Sequence, residues 1–172
     1  MKRSKLPLCL AAFALTAGAQ TPRALCLFFD LNSMTAAEQA RAQQSALKFV
    51  QEQMTSADVV SVMTSTPSVQ VLQDFTGDRE AVAAVLRTIV PGPAASASPA
   101  DRLQAIQQAS ALLSPVTGKK SLLYFSAGAL QTGTVDADQL KTTVNEALRA
   151  NVAIYPIDAR AVEVGPFPVQ VR

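Results

Sequence analysis

The chain has 172 residues, with 15 basic and 13 acidic side chains and a formal net charge of +2. It contains no histidine, which excludes His-dependent catalytic triads, histidine general bases and histidine-ligated zinc sites. Aromatic residues make up only 5% of the chain and no basic stripe is present, so nucleic-acid binding is not expected.

The N-terminus has the layout of a cleavable secretory signal. Basic residues at positions 2, 3 and 5 precede an apolar run from Leu6 to about Thr16, and small residues in an A-x-A pattern follow at 17–19. A membrane anchor is the alternative, but this run is well short of the roughly 20 residues that span a bilayer. We therefore expect residues 1–19 to be removed on export, leaving a secreted or periplasmic chain that does not insert into the membrane.

Removal of residues 1–19 leaves 153 residues with 12 basic and 13 acidic side chains, because three basic residues leave with the signal. This length suits one domain with its own core, which we place at 20–160, with 161–172 as a C-terminal tail. Cys26 is then the only cysteine, so no intrachain disulfide can form. Its apolar surroundings, "ALCLFF", predict a buried side chain rather than a reactive thiol.

The first half of the chain reads as strand, helix and hairpin. The apolar run at 24–29 predicts a strand buried on both faces. A T-x-x-E capping box beginning at Thr35 then opens an amphipathic helix that runs to Met54. Segments 57–65 and 68–75 are separated by only two residues, which predicts an antiparallel hairpin whose second strand lies at a sheet edge.

The second half alternates helices and strands after a cap region at 76–78. Residues 91–100 are rich in Pro, Ala and Ser and predict a surface loop. Ser98, Pro99 and Asp101 have the pattern of an N-cap, a first-turn proline and a first-turn acid. The predicted elements are a helix from Val82 to Ile89, a helix from Ser98 to Leu113, a strand at 120–126, a helix from Asp136 to Leu148 that stops at Asn151, and a strand at 152–158.

This alternation predicts an open, doubly wound α/β sheet that is mostly parallel and carries helices on both faces. Ligands of such sheets sit outside the carboxyl ends of the strands. That edge is expected to carry Asp30, Asn32, Ser33, Ser126 and Asp158, which together form the candidate binding face.

Five segments follow one another between Ala24 and Arg160: "LCLFFDLNSM", "RAQQSALKFVQEQMTSADVVSVMTS", "VLQDFTGDRE", "KKSLLYFSAGALQTG" and "RANVAIYPIDAR". In this order they resemble the von Willebrand factor type A (VWA) domain family, in its acidobacterial-type branch. The resemblance implies a Rossmann-like sheet with strand order 3-2-1-4-5, in which the third strand is an antiparallel edge strand.

The resemblance also implies a metal-ion-dependent adhesion site. VWA domains often bind partners through Mg²⁺ held by a D-x-S-x-S motif, a loop threonine and a further aspartate, since Mg²⁺ prefers six oxygen ligands. This sequence keeps Asp30, but Asn32 and Met34 replace the two serines, Ala127 replaces the second aspartate, and residues 89–116 contain no threonine. Asp30 is thus the one clear metal ligand, and a single carboxylate makes a poor Mg²⁺ site. The favoured role of Asp30 is to end its strand and accept hydrogen bonds from the following turn.

Three functions follow from these residues. The missing ligands favour an exported, non-catalytic domain that binds another protein through the candidate binding face, with a degenerate metal site and no cofactor. The first alternative is a Mg²⁺-dependent adhesion domain with a rearranged site. The second is an aspartate-nucleophile phosphatase, which "FFDLNS" weakly resembles, although Asn32 cannot donate the proton that such chemistry requires at this position.

The last predicted strand, "VAIYPID", is expected at a sheet edge because Pro156 cannot donate a ladder hydrogen bond. We expect "VQVR" at 169–172 to cover this edge. Without that cover, the edge would offer a surface for self-association or for an added strand of a partner.

The signal pattern predicts that the exported chain begins at Gln20. Intact mass and N-terminal sequencing of the exported protein check this expectation. A secreted chain that retains residues 1–19 would contradict the predicted cleavage.

Overall fold

The computed structural model describes residues 23–66, 68–94, 96–128 and 136–160. The predicted signal at 1–19 and the predicted tail at 161–172 lie outside the described residues, so signal cleavage and the tail's cover of the last strand stay predictions.

The described elements alternate in the predicted order. The helix expected to reach Met54 ends two residues earlier, where Gln53 forms the C-cap, although Met54 remains buried in the core. The elements are β1 (Arg23–Phe29), α1 (Ala36–Glu52), β2 (Asp58–Ser65), β3 (Val69–Thr76), α2 (Arg79–Thr88), α3 (Pro99–Leu113), β4 (Lys120–Ser126), α4 (Ala137–Arg149) and β5 (Val152–Asp158).

The five strands form one sheet in the order β3-β2-β1-β4-β5. β1 pairs in parallel with both β2 and β4, β5 is parallel to β4, and β3 is antiparallel to β2. The predicted order and the antiparallel edge strand are therefore confirmed. Because β1 is central, its carboxyl end meets the ends of β2 and β4 at the same edge.

Local sequence signals set the helix ends. Thr35 accepts from the Glu38 N–H while the Glu38 carboxylate accepts from the Thr35 N–H, which completes the predicted capping box of α1. Ser98 and Asp101 form a second capping box at the start of α3, with Pro99 at the first helical position. Asn151 adopts φ +53° after α4, as its predicted role as a helix stop requires.

Each face of the sheet packs against two helices. Adjacent strand residues point to opposite faces, so Phe29 packs with α1 and α2 around Leu86, whereas Phe28 packs with α3 and α4 around Ile106. The helices on both faces confirm the doubly wound architecture. Cys26 is fully buried in the second of these layers, where burial raises the pKa of its thiol to about 12.

An ion pair fixes the opposite edge of the sheet, where the parallel strands begin. Arg23 Nε lies 2.6 Å from Asp58 Oδ1 and its Nη2 lies 2.8 Å from Oδ2. The Thr55 N–H also donates to Asp58. Burial alone would raise the pKa of Asp58, but the bonds from Arg23 and Thr55 hold it below its usual range. The pair joins the first residues of β1 and β2, which are register partners.

β5 forms the outer edge on its side of the sheet, as Pro156 predicts. The N–H of Ala159 donates to the Ser126 carbonyl, so alternate residues from 153 onward turn their N–H groups toward β4. Pro156 lies between two of these residues, at a position that faces away from β4. Its missing N–H therefore removes no hydrogen bond from the β4–β5 pairing. Within the described residues, no strand pairs with this outer edge.

No helix among the described residues is both long and apolar enough to cross a membrane.

Candidate functional site

The turn after β1 places the start of the candidate binding face. Asp30 donates its N–H to the Phe125 carbonyl, which continues the β1–β4 pairing. Ser33 then folds back, and both its N–H and its hydroxyl donate to the Asp30 carbonyl, at 3.1 and 3.0 Å. The turn therefore forms these hydrogen bonds with the backbone carbonyl of Asp30. The Asp30 carboxylate takes no part in them.

The Asp30 carboxylate is buried, with the residue only 1% exposed. Its Oδ2 accepts a 2.6 Å hydrogen bond from the Tyr124 hydroxyl and lies 3.5 Å from Arg102 Nε. Burial, together with the negative charge of Asp30, raises the pKa of the Tyr124 phenol, which stays protonated and able to donate. A buried carboxylate requires such partners, because an unpaired charge in the interior is very costly.

Arg102 is the cation of this cluster, and it comes from the first turns of α3. Its Nη2 donates to the Ser126 hydroxyl at 2.9 Å and to the Gly128 carbonyl at 2.7 Å. Its Nε also lies 3.4 Å from the Tyr124 hydroxyl. One guanidinium thus connects α3 with the ends of β1 and β4 and with the loop that follows β4.

Asp158 organises the same loop from the end of β5. Its carboxylate accepts from the N–H groups of Gly128 and Arg160 and pairs with the Arg160 guanidinium at 2.9 Å. Hydrogen bonds from Arg160 come first among the causes that lower the pKa of Asp158 to about 2. Gly128 has φ +78°, a left-handed conformation that favours glycine at this loop position.

A cavity of about 310 Å³ opens beside Asp30. Its wall combines the β1–α1 turn, the β2–β3 turn and the first turns of α3. Asn32 also donates to the Ser65 hydroxyl across the cavity wall, at 3.4 Å. The polar lining includes Asp30, Asn32, Ser65, Asp101, Gln104 and Gln108.

The five residues of the candidate binding face divide into two groups. Asp30 and Asn32 line the cavity. Ser33, Ser126 and Asp158 surround the loop after β4, where the Ser33 hydroxyl accepts from the Ala127 N–H. Asp30 connects the two groups through Arg102.

The residues around Asp30 do not fit the Mg²⁺ site that the resemblance implies. Mg²⁺ needs several hard oxygen ligands in near-octahedral geometry, yet Oδ2 of Asp30 already faces a tyrosine hydroxyl and a guanidinium. Met34, at the position of the second serine, is fully buried in the core. Over the described ranges, no three acidic, cysteine or histidine side chains converge on a point that could hold a metal ion.

Sequence reasoning missed both Arg102 and Tyr124. Arg102 lies three, four and seven residues before Ala105, Ile106 and Ala109, all of which are buried. This spacing places a basic residue on the apolar face of a helix, which was the signal that could have identified Arg102. A cation on that face is buried, and a buried cation requires a buried partner of opposite charge. Tyr124 stood in an apolar strand, where nothing indicated that its hydroxyl meets Asp30.

Sheet order, helix placement and the polar edge together define a VWA-type domain, and comparison with known proteins supports this class at the level of fold. No protein-family model matches the chain, and no curated sequence matches it. Solved structures with similar folds include an aerotolerance-related membrane protein from Bacteroides fragilis, with 16% identity, a TM-score of 0.56, and coverage of 79% of this chain and 67% of that one. BatB from Bacteroides thetaiotaomicron has 16% identity and a TM-score of 0.55, with coverage of 79% and 66%.

Proximal thread matrix protein 1 from the mussel byssus, in a structure with a zinc-occupied MIDAS motif, has 12% identity and a TM-score of 0.55. The match covers 80% of this chain and 38% of that one. The chain thus spans about two thirds of the Bacteroides structures and well under half of the mussel protein. At these identities the likeness establishes the VWA-type fold, and the function rests on the residues of this chain.

Arg102→Met is expected to lower the free energy of unfolding by about 3–5 kcal/mol, because it leaves the buried Asp30 without its counter-charge. Adding Asp30→Asn removes that uncompensated charge, so the double variant should be more stable than Arg102→Met alone. The expected coupling is about 0.5–3 kcal/mol, measured by urea unfolding of the four members of the cycle.

The exposed pair of Asp158 and Arg160 provides the matched control, since the same two substitution types there should couple much more weakly in a solvent-screened position. Strictly additive costs at Asp30 and Arg102 would show that the two charges do not depend on each other.

Proposed function

We propose that this chain is an exported, non-catalytic VWA-type domain that binds another protein through the candidate binding face without a metal ion. The observation that carries the proposal is the guanidinium of Arg102 beside the Asp30 carboxylate. A protein cation stands there next to the one acid that the family's metal motif retains. The face can therefore keep its arrangement without a bound ion.

The candidate nucleophiles support a binding role over catalysis. Cys26 is buried and its thiol pKa is raised to about 12, which disfavours the reactive thiolate. Ser126 is buried and bonded to Arg102, and the chain has no histidine that could act as its base. Asp30, the nucleophile of the phosphatase alternative, has Oδ2 bonded to Tyr124, and Asn32 beside it supplies no acidic proton.

The polar cavity supports a protein partner. A volume of about 310 Å³ is at the small end of ligand pockets and is enough for one inserted side chain. The export part of the proposal rests on the N-terminal signal pattern.

A capture experiment tests the proposal. The exported chain is immobilised and exposed to the envelope and secreted proteins of its source cells, with Ser68→Trp as a variant that obstructs the cavity from an exposed position. Ser114→Trp, exposed after α3 at the opposite edge of the sheet, is the matched control. We expect one partner to be retained by the wild type and the control and lost by Ser68→Trp, equally in Mg²⁺ and in a chelator.

Retention of that partner by all three baits would place the interface elsewhere. Loss of the partner in chelator would instead favour the metal-dependent adhesion domain. Retention of no partner by the wild type would count against a binding role altogether.

A further inference from the structure

Helix α4 carries an apolar stripe that the described part of the chain leaves largely uncovered. The stripe consists of Leu140, Val144 and Leu148, which recur at every fourth residue. Val144 is 47% exposed and Leu148 is 70% exposed. The helix instead packs inward through the smaller side chains of Thr143 and Ala147. Large apolar side chains at this spacing usually face a core, so the exposed stripe indicates a surface that a further segment covers.

The stripe lies on the side of α4 that is turned away from α3. Gln139 donates to the Ala100 carbonyl of α3, and Thr143 accepts from Gln107 of α3. The stripe begins roughly 100° and ends roughly 180° around the helix axis from Gln139. Because α4 also packs on β5, the outermost strand on this side, the stripe borders the outer edge of β5.

The outer edge of β5 offers backbone groups to a further strand. Residues 152, 154, 156 and 158 direct their backbone groups away from β4, since the alternating residues from 153 to 159 face it. Val152 and Ile154 pack with α3 and α4, so this outward-bonding set has its side chains on the α4 face. The open edge and the stripe together form what we call the β5–α4 notch.

The segment 167–171, which lies outside the described residues, has a sequence that matches this notch. Phe167, Val169 and Val171 alternate with Pro168 and Gln170. In an extended strand, alternate residues lie about 6.8 Å apart along the chain. Residues of the stripe, which are four apart in a helix, lie about 6.0 Å apart. Three apolar residues of the segment can therefore meet three apolar residues of the stripe one to one.

The connection and the proline restrict how the segment can pair with β5. Only residues 159–166 join the two, whereas a parallel neighbour needs a crossover of about a dozen residues or more, so the pairing is antiparallel. Pro168 has no N–H, which directs its nitrogen away from β5. Phe167, Val169 and Val171 then bond to β5. Because opposed residues of an antiparallel pair share a face, these three side chains fall on the α4 face.

We propose that residues 167–171 occupy the β5–α4 notch as an antiparallel strand, with Phe167, Val169 and Val171 packed against the stripe of α4. The sequence alone predicts a cover for the edge of β5, and the structure adds the stripe and the side chains that meet it. The proposal is independent of the proposed function, because the candidate binding face lies at the carboxyl ends of the strands and the notch runs along the side of β5.

Amide hydrogen exchange of the ¹⁵N-labelled exported chain tests the proposal at the N–H of Ile154. This group points away from β4, so an added strand would protect it from exchange. We expect the N–H of Ile154 to be protected in the wild-type chain to the same extent at every protein concentration. The N–H of Tyr155 faces β4 and reports whether the sheet itself stays intact.

Val169→Asp is expected to speed exchange at Ile154 about tenfold or more, because it places a charge against the apolar stripe. Gln170→Asp is the matched control, since it places the same charge on the opposite face of the same segment. Neither substitution should alter exchange at Tyr155.

A second pair of variants repeats the comparison on α4. Val144 and Asn145 are both exposed, but only Val144 belongs to the stripe. Val144→Asp should therefore speed exchange at Ile154, and Asn145→Asp should leave it unchanged.

Fast exchange at Ile154 in the wild-type chain would overturn the proposal, and so would equal effects of Val169→Asp and Gln170→Asp. Protection that grows with protein concentration, together with a dimer in size-exclusion chromatography, would overturn it in favour of a second copy of the chain at this edge.

Discussion

The buried pair of Asp30 and Arg102 is the interaction on which the arrangement of this sheet edge depends. Asp30 directly follows the central strand β1, and its carboxylate is buried, so bulk water cannot balance its charge. The guanidinium of Arg102 supplies the balancing charge and also bonds to Ser126 and to the loop at Gly128. Removing either member would therefore disturb groups from two strands, one loop and one helix.

The pair exists because of where the chain places α3. The capping box at Ser98 and Asp101 starts this helix at the carboxyl edge of the sheet, so its fourth residue, Arg102, reaches the end of β1. The next turns supply Gln104 and Gln108 to the cavity. The same helix therefore provides both the internal cation and one wall of the proposed binding cavity.

Much of the fold was predictable from the sequence, because its signals are local. The local signals are apolar runs of strand length, two capping boxes and the left-handed conformation of Asn151, each of which depends on a few neighbouring residues. Pro156 requires only that its strand lie at an edge of the sheet. The pairing of Arg102 with Asp30 joins residues that are far apart in the chain, and no local pattern encodes such a contact. The sequence did predict that Asp30 lies at the functional edge, whereas its partners depend on how α3 and β4 pack.

The proposed metal-free arrangement of this sheet edge has a physical basis in Met34 and Arg102. Met34, where a ligand serine would stand, is buried among core side chains and offers no hard oxygen. A guanidinium that is always charged can hold a buried carboxylate at any metal concentration. We therefore expect the arrangement of this face not to vary with divalent ions.

Thermal unfolding with and without millimolar Mg²⁺ tests this claim most directly. We expect the melting temperature of the wild-type chain to change by no more than about 1 °C, because linkage to an ion requires a site that binds it. Saturation of a real site at about 100 times its Kd would add about 2.7 kcal/mol, a rise of roughly 5–10 °C for a domain of this size. A rise of that size that Asp30→Ala abolishes would contradict the account, because it would show that Asp30 binds the metal.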